Sequence, residues 1–337
     1  MERVNAVRQG EIPGVKKFAT ASGTRSKGGF FGRRAGAVFQ PGGVISWGGR
    51  RGAPAAVAVL LAALLGLVLG AGGCRRRTPQ TSGAVDRIVT LTPSATELVA
   101  ALGAADKLVG VDDYSTYPPE VAKLPRVGSF LQPHLEAIMR LRPQVVIADD
   151  IHADIVGTLH DVGIDVVTAK MHALPDLKEA FARVGARLGR DAEAKVQAQA
   201  IEDAIAAARA RQRGAGVRVL MVIDREAGGL GGMIGAAGGS WLGELVAITG
   251  AVNVLAASPV RYPKLSPEEV LRSRADVILD VSYAADPGDA LTVWRSMATV
   301  PAVARGRVRV LKEAYLLSPS PRVAEALATI EAALAAQ

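Results

Sequence analysis

Residues 136–146, EAIMRLRPQVV, align without a gap with residues 268–278, EEVLRSRADVI. A second pair follows the same order, because ELVAALGA at residues 97–104 matches ELVAITGA at residues 244–251. The two matches indicate that the chain contains one α/β unit twice. A protein of two similar lobes has a cleft between them, and clefts between domains are common ligand sites. Chance is the alternative explanation, since helices rich in Ala, Leu and Val match easily.

Alternating strands and helices surround both copies of the repeat. The predicted strands are continuous apolar runs, which are typical of a parallel sheet that is covered on both faces. Capping boxes predict two helix starts, one at Ser94 and Glu97 and the other at Ser266 and Glu269. The predicted strands are residues 87–92, 108–111, 145–148 and 165–168 in the first half and residues 217–223, 277–281 and 308–311 in the second.

A long helix is predicted between the two halves. Residues 191–213 contain neither Gly nor Pro, and Gly214 follows them as a stop signal. Such a helix would span roughly 34 Å, which is more than a crossover needs, so it fits a strut between lobes. The predicted fold is therefore α/β: two α/β lobes with parallel sheets, joined by one long linker helix, with a ligand cleft between the lobes. The predicted divisions are an N-terminal lobe at 86–174, connecting helices at 175–214 and a C-terminal lobe at 215–337.

The N-terminal region predicts export. Residues 1–77 hold 13 Lys and Arg against two acids, while the whole chain carries +8, so the remainder of the chain is acidic by about three charges. Because the basic charge is confined to this region, no basic face for nucleic acid is expected. Residues 1–52 are predicted to be a disordered basic leader, 53–74 a signal segment and 75–85 a polar linker.

The apolar part of the signal segment ends in small residues followed by Cys74, the single cysteine of the chain. This arrangement resembles a bacterial lipobox, in which the thiol is lipidated and becomes the new N-terminus. Ala71 stands where such a box usually has Leu. An uncleaved transmembrane anchor is the alternative, because the apolar run is long enough to span a bilayer. We predict an exported lipoprotein that is tethered to a membrane of the cell envelope and faces the periplasm.

Seven motifs occur in the order found in one known family. They are TLTPSATEL at 90–98, GVDDYSTYPPE at 110–120, LPRVG at 124–128, LEAIMRLRPQVVIA at 135–148, NVLAASPVRYPKLSPEEVL at 253–271, ADVILD at 275–280 and SPSPR at 318–322. Together they resemble the helical-backbone class (class III) of periplasmic substrate-binding proteins of ABC importers, which bind cobalamin, heme or ferric siderophores. The resemblance covers about residues 86–336 and is strongest to cobalamin-binding proteins, through YSTYPPE and SPEEVL. It implies capture of cobalamin or a related corrinoid and delivery to an ABC permease dimer with its ATPase.

The expected ligand-binding residues lie after the strands, where open α/β sheets bind their ligands. By the resemblance, Tyr114, Phe130 and Asp149 take positions that line the cobalamin pocket in the N-terminal lobe. Tyr283 and Tyr315 follow strands of the C-terminal lobe, and aromatic faces give a flat ligand a large contact area. Ordinary loop packing is the alternative for each of them.

Departures from the family pattern bear on the identity of the ligand. Asp149 replaces an aromatic residue, while Ala314 and Ser318 replace an acid and an arginine. The rim is predicted to be acidic, which disfavours anionic ferric siderophores and favours a neutral or cationic corrinoid. A ferric-siderophore or heme-binding protein of the same family is the alternative.

One glutamate per repeat is expected to contact the membrane subunits. Glu136 and Glu268 occupy matching positions in the first turn of matching helices. The family uses one exposed Glu on each lobe to meet Arg residues of the two permease subunits, and a charge pair at a rim fixes orientation. A carboxylate that only favours its own helix dipole is the alternative.

No residue set predicts catalysis. The sequence lacks a P-loop, a G-x-S-x-G and an H-E-x-x-H motif, and its loop acids are scattered. Asp149, Asp150, His152 and Asp154 offer metal-ligand atoms, but their spacing favours solvated acids. The Gly-rich segment 228–239 is interpreted as a mobile loop at the cleft mouth. We predict no enzyme, cofactor or metal site; an exported two-domain hydrolase and a lipoprotein sensor are the competing interpretations.

Overall fold

The computed structural model describes residues 84–282 and 287–335. The predicted leader, the signal segment with Cys74, most of the linker and Tyr283 lie outside these residues. Within the described ranges, no helix is both long enough and apolar enough to cross a membrane.

The N-terminal lobe is built on a four-stranded parallel sheet with the order β2-β1-β5-β6. All four strands predicted from the apolar runs are present, shortened by a few residues at most. A small antiparallel hairpin, β3 and β4, stands apart from this sheet. The strands are β1 Ile88–Thr90, β2 Leu108–Gly110, β3 Gly128–Ser129, β4 Gln132–Pro133, β5 Val145–Ala148 and β6 Asp165–Thr168, and the helices are α1 Pro93–Ala101, α2 Leu135–Arg140 and α3 Ala153–Asp161.

Two helices connect the lobes, α4 Leu174–Leu188 and α5 Asp191–Arg211. The long helix α5 ends two residues earlier than predicted, because Gln212 adopts a left-handed conformation with φ 49°. Its buried residues, Ala194, Ile201 and Ala208, are spaced by seven. Seven residues are close to two helical turns, so α5 buries one narrow stripe and exposes the rest. The stripe packs partly on α4, where a Cβ on Gly185 would approach the Cβ of Ala194 to 2.7 Å.

The C-terminal lobe has a five-stranded sheet. Its parallel strands have the order β11-β10-β7, and β9 also pairs with β7 in parallel, while β8 is antiparallel. The strands are β7 Arg218–Asp224, β8 Ile234–Gly235, β9 Val252–Asn253, β10 Val277–Asp280 and β11 Val308–Val310, and the helices are α6 Trp241–Ile248, α7 Pro267–Ser273, α8 Pro287–Arg295, α9 Pro301–Ala304 and α10 Val323–Ala335. The prediction of two α/β lobes with parallel sheets and a helical connection is confirmed.

The repeat in the sequence is a repeat in the structure. Helix α2 leads into β5, the strand between β1 and β6, and α7 leads into β10, the strand between β7 and β11. The matched residues Arg142 and Arg274 both have φ of 47°, a left-handed conformation that is uncommon for a residue with a side chain. Sequence, topology and backbone angle therefore agree at the two copies of the repeat.

The two predicted capping boxes have different outcomes. At α7, Ser266 accepts a hydrogen bond from Glu269 N, and the Glu269 carboxylate accepts one from Ser266 N, as predicted. At α1, the capping residue is Thr92, whose hydroxyl accepts from Ala95 N, and Pro93 is the first helical residue. The prediction that Glu97 caps α1 is therefore wrong, and its side chain is free for another role.

Candidate functional site

Two aromatic rings stand exposed at the carboxyl edge of the N-terminal sheet. Tyr114 follows β2, and Phe130 lies at the tip of the β3–β4 hairpin. Their ring centroids are 5.8 Å apart at an interplanar angle of 66°, and the residues are 56% and 37% exposed. An edge-to-face pair that remains this exposed presents an apolar surface to a ligand. The structure thus brings together two of the residues that the sequence predicts to bind ligand.

Hydrogen bonds beneath the two rings hold their backbones in place. Arg126 donates to Asp112 O at 2.8 Å and to Ser115 O at 2.7 Å, and the Asp112 carboxylate accepts from Tyr114 N at 2.9 Å. Burial raises the pKa of Asp112, while its hydrogen bonds from Ser115 and Tyr114 oppose this change. The exposed rings therefore stand on a buried polar support and not on a loose loop.

His152 fixes the hairpin tip and is unavailable as a ligand. Its Nδ1 accepts from Asp149 N at 3.0 Å, so its Nε2 carries the proton and donates to Phe130 O at 2.7 Å. Both ring nitrogens are occupied, and the residue is buried. A role for His152 in metal ligation, which the sequence left open, is not compatible with this geometry.

Asp149 and Asp150 follow β5 at the same edge and meet His172, which follows β6. The Nε2 atom of His172 lies 2.6 Å from Asp150 Oδ1 and 3.1 Å from Asp149 Oδ1. Burial, followed by the neighbouring Asp150, raises the pKa of Asp149, whereas hydrogen bonds with Asp149 and His172 lower the pKa of Asp150. The parallel pairing of β5 with β6 explains the cluster, because residues that follow neighbouring parallel strands emerge at one edge.

The carboxyl edge of the C-terminal sheet is organised by a buried ion pair. Arg225, directly after β7, donates to Asp280 at the end of β10 with an Nε–Oδ2 distance of 2.8 Å, and both side chains are almost fully buried. Arg225 Nη1 also donates to Gly229 O at 3.0 Å. Trp294 donates its ring N–H to the same carboxylate at 2.8 Å. The ion pair therefore anchors the start of the Gly-rich segment that was interpreted as a mobile loop.

A stack of three side chains joins the two lobes. The guanidinium carbon of Arg322 lies 4.3 Å from the ring centre of Tyr117 and 4.2 Å from that of Tyr315. Tyr117 belongs to the N-terminal lobe, while Tyr315 and Arg322 belong to the C-terminal lobe. The Tyr315 hydroxyl also lies 2.8 Å from Thr329 Oγ1. One face of the Tyr315 ring and its hydroxyl are therefore in contact with residues of the same lobe, although the sequence predicts that Tyr315 binds ligand.

The two glutamates of the ELVA repeat contact other parts of the fold, Glu97 the opposite lobe and Glu244 a connecting helix. Glu97 of α1 lies against Ser320 and Arg322 of the C-terminal lobe, and burial raises its pKa although both neighbours lower it. Glu244 of α6 accepts a hydrogen bond from Leu174 N, at the start of α4, at 3.1 Å. The repeat that the sequence reveals as helix therefore contributes one interlobe contact, from Glu97, and one contact with the connecting helix α4, from Glu244.

Replacing Glu97 with Gln is expected to raise the melting temperature at pH 7.5 by about 2–4 °C, the effect of ~1 kcal/mol in a chain of this size. Burial raises the folded-state pKa above the usual value of 4.5, so the cost of ionising Glu97 in the folded state grows as the pH rises from 4.5 and is complete above that folded-state pKa. Below about 4.5 the carboxyl is protonated in both states, so the difference between variant and parent should disappear. Thermal denaturation from pH 4 to 8 tests this, with the exposed Glu179→Gln as control. A lower melting temperature of Glu97→Gln at pH 7.5 would mean that attraction to Arg322 outweighs burial.

Both predicted docking glutamates are exposed at the second residue of matching helices. Glu136 lies in α2 and Glu268 in α7, and neither forms an ion pair with any described residue. Hydrogen bonding from the backbone N–H of Glu268 itself, followed by Ser266, lowers the pKa of the Glu268 carboxyl. Each lobe therefore presents one exposed carboxylate from an equivalent position.

A cavity of about 600 Å³ lies along the connecting helices. It is lined by residues of α4, α5 and α6, among them Ile201, Ile205 and the exposed ion pair of Lys178 with Glu202. None of the predicted ligand-binding residues lines it, so its size does not locate the site. Two residues of the interlobe stack were missed from the sequence: Tyr117 and Arg322. The scarcity of aromatic residues in the chain was the signal for Tyr117.

Comparisons with known proteins agree with this architecture. The family model described as periplasmic binding protein matches residues 88–315. The vitamin B12-binding protein of Vibrio cholerae serotype O1 is 29% identical over 253 residues, which cover 72% of this chain and 86% of that relative.

Two solved structures have the same fold and are more than 25% identical in sequence to this chain. The periplasmic heme-binding protein of Roseiflexus sp. RS-1 superposes with a TM-score of 0.67 at 28% identity, covering 75% of this chain and 98% of that one. The periplasmic vitamin B12-binding protein of Vibrio cholerae gives a TM-score of 0.63 at 26% identity, covering 74% and 96%.

Proposed function

This chain belongs to the periplasmic binding protein family, and we propose that it captures cobalamin or a related corrinoid as the substrate-binding lipoprotein of an ABC importer. It is a binding protein and not an enzyme, from the part of the family that binds vitamin B12, heme or siderophores. Members of this family carry ligands for transport, which they deliver to the permeases of ABC transporters, and they hold no catalytic cofactor. We further propose lobes at 86–174 and 215–337, with connecting helices at 175–214.

The exposed pair of Tyr114 and Phe130 is the observation that carries the ligand proposal. A corrinoid offers a broad apolar face, and burying an aromatic side chain against such a face contributes roughly 1.5–3 kcal/mol. The rings lie on the edge where α/β sheets bind their ligands, and the hydrogen bonds beneath them limit the conformational cost of binding. Asp149, Tyr315 and Tyr283 remain proposed ligand contacts, the last of them outside the described residues.

Charge supports a corrinoid over an anionic iron chelate. Asp149 and Asp150 bring carboxylates to the same edge as the aromatic pair. Two acids repel a ferric siderophore with net negative charge and attract a ligand with positive charge. The similarity to heme-binding structures makes heme the second candidate, since heme also has a flat aromatic face.

Replacing Tyr114 and Phe130 together with Ala is expected to weaken cyanocobalamin binding by about 100-fold or more, because the two rings contribute roughly 3–6 kcal/mol and each tenfold corresponds to 1.4 kcal/mol. Titration calorimetry with the full chain measures this, against a panel of cobinamide, hemin and a ferric hydroxamate. The double variant Val196→Ala and Val252→Ala, which removes exposed apolar side chains elsewhere, should bind as the parent does. Binding of hemin without any corrinoid would identify the second candidate, and loss of binding in both double variants would contradict the assigned site.

We propose that Cys74 carries the lipid that tethers the protein to the cell envelope. Mass spectrometry of protein purified from membranes is expected to find Cys74 as the acylated N-terminal residue, and Cys74→Ser should release the protein from the membrane fraction. The stable tether that we propose needs more than one acyl chain on Cys74, because a single acyl chain binds membranes only marginally. An intact segment 53–73 in the mature protein would establish the uncleaved anchor instead.

A further inference from the structure

The cluster of Asp149, Asp150 and His172 has three ligand atoms within 4.8 Å of one another. Each residue offers one atom that can bind a metal: an oxygen from each of the two carboxylates and the Nε2 atom of the imidazole. The donors come from two loops that the β5–β6 pairing holds side by side. Their chemistry matches first-row transition-metal ions, which accept imidazole nitrogen and carboxylate oxygen together.

One buried oxygen of the cluster has no hydrogen-bond donor. The Asp149 side chain is only 6% exposed, and its Oδ2 accepts from Met171 N at 3.3 Å. Its Oδ1 accepts no hydrogen bond from any residue in the described part of the chain, and its only polar contact besides His172 is with the Asp150 carboxylate, with which it can share a proton. The single N–H available at His172 Nε2 goes to Asp150 Oδ1 at 2.6 Å, which leaves Asp149 Oδ1 beside it at 3.1 Å without a proton. A buried carboxylate oxygen without a partner is costly, and a cation would satisfy it.

We propose that Asp149, Asp150 and His172 bind a divalent first-row transition-metal ion at the ligand-facing edge of the N-terminal lobe. His172 ligates through Nε2 as the tautomer protonated on Nδ1, so the Nε2 proton is displaced when the ion binds. Donors in a tetrahedral site with bonds of about 2.0–2.2 Å lie roughly 3.3–3.6 Å apart. The distances from His172 Nε2 to the two carboxylates, 2.6 and 3.1 Å, would therefore lengthen by about 0.2–1 Å. Three protein ligands leave a coordination position for water or an incoming ligand, as in open zinc sites. The ion is exchangeable and not a resident cofactor.

The surroundings of the cluster favour selectivity over very tight binding. Lys170 Nζ lies 3.6 Å from Asp176 Oδ1, and Asp176 also accepts from His172 N at 3.0 Å. The Lys170 ammonium therefore competes weakly with a cation, although Asp176 partly neutralises it. Because Asp150 is half-exposed, an ion can enter from solvent without unfolding the lobe.

Calorimetric titration of Zn²⁺ into the full chain without organic ligand tests the site, with Cys74→Ser in every variant so that the thiol does not compete. One saturable site per chain is expected, and Asp150→Asn and His172→Gln should each weaken binding by at least about tenfold. His160→Gln, which removes an exposed histidine of α3 outside the cluster, should leave it unchanged. Circular dichroism confirms folding of each variant.

Absence of a saturable site up to millimolar Zn²⁺ would overturn the proposal and leave the two carboxylates as a pair that shares a proton. Equal binding by the parent and His172→Gln would also overturn it, because the ion would then lie elsewhere. The titration needs no corrinoid, so its outcome is independent of the proposed transport function.

Discussion

The double variant Glu136→Ala and Glu268→Ala is expected to abolish ligand uptake by cells while the purified protein binds its ligand as before. Each carboxylate is exposed at the second residue of a matching helix, and neither has an ion-pair partner among the described residues. Charges at a docking rim mainly set orientation and association rate, so losing one from each lobe removes both anchors of a two-fold contact. Uptake of labelled cobalamin in a strain lacking the native gene measures the effect.

Two comparisons make this result specific. The variant Glu179→Ala with Asp203→Ala removes the same charge from exposed positions of α4 and α5, and should transport at the parental rate. Each single docking variant should show an intermediate loss. Weakened ligand affinity in the docking variant would show that these residues belong to the binding site, and undiminished uptake would reduce them to carboxylates that favour their helix starts.

Asp280→Ala is expected to cost about 3–5 kcal/mol of unfolding free energy, the usual effect of stranding a buried charge. The substitution leaves the Arg225 guanidinium, 1% exposed, without its carboxylate. It also removes the acceptor of the Trp294 ring N–H, which is fully buried. Urea denaturation of the full chain, followed by tryptophan fluorescence, measures the loss.

An exposed ion pair provides the matched control. Glu202→Ala breaks the pair with Lys178, in which the side chains are 51% and 72% exposed, and should cost about 1 kcal/mol or less. The paired change Arg225→Met with Asp280→Leu should recover most of the stability, because it removes both buried charges. A cost below about 1 kcal/mol for Asp280→Ala would mean that water reaches Arg225 in the folded protein.

Local patterns in the sequence predicted the elements well. Strand positions followed from apolar runs, and the start of α7 followed from its capping box, because both depend on residues that are neighbours in the chain. The prediction at α1 was wrong for an instructive reason. Ser94 and Glu97 have the spacing of a capping box, but the helix begins earlier, with Thr92 as its capping residue and Pro93 as its first residue.

The sites depended on contacts between distant parts of the chain. His172 was not linked to Asp149 and Asp150 from the sequence, although the predicted strands before them were adjacent in order. The position of Arg322 between Tyr117 and Tyr315 required both lobes to be in place. Neither arrangement leaves a local signal in the sequence, because the contacting residues are far apart in the chain and follow no fixed spacing or period.

The sequence by itself determined the two α/β lobes, their repeat, the helical connection and the matched exposed pair Glu136 and Glu268. These features follow from period, caps and internal similarity, which act over a few residues at a time. Only the tertiary structure decided that Glu97 contacts the opposite lobe, that Glu244 contacts the connecting helix α4 and that His172 joins the two aspartates. The partners and the pKa of a carboxyl group depend on its burial and on residues far away in the chain. Its surroundings in the folded protein, and not the sequence motif that contains it, therefore decide its role.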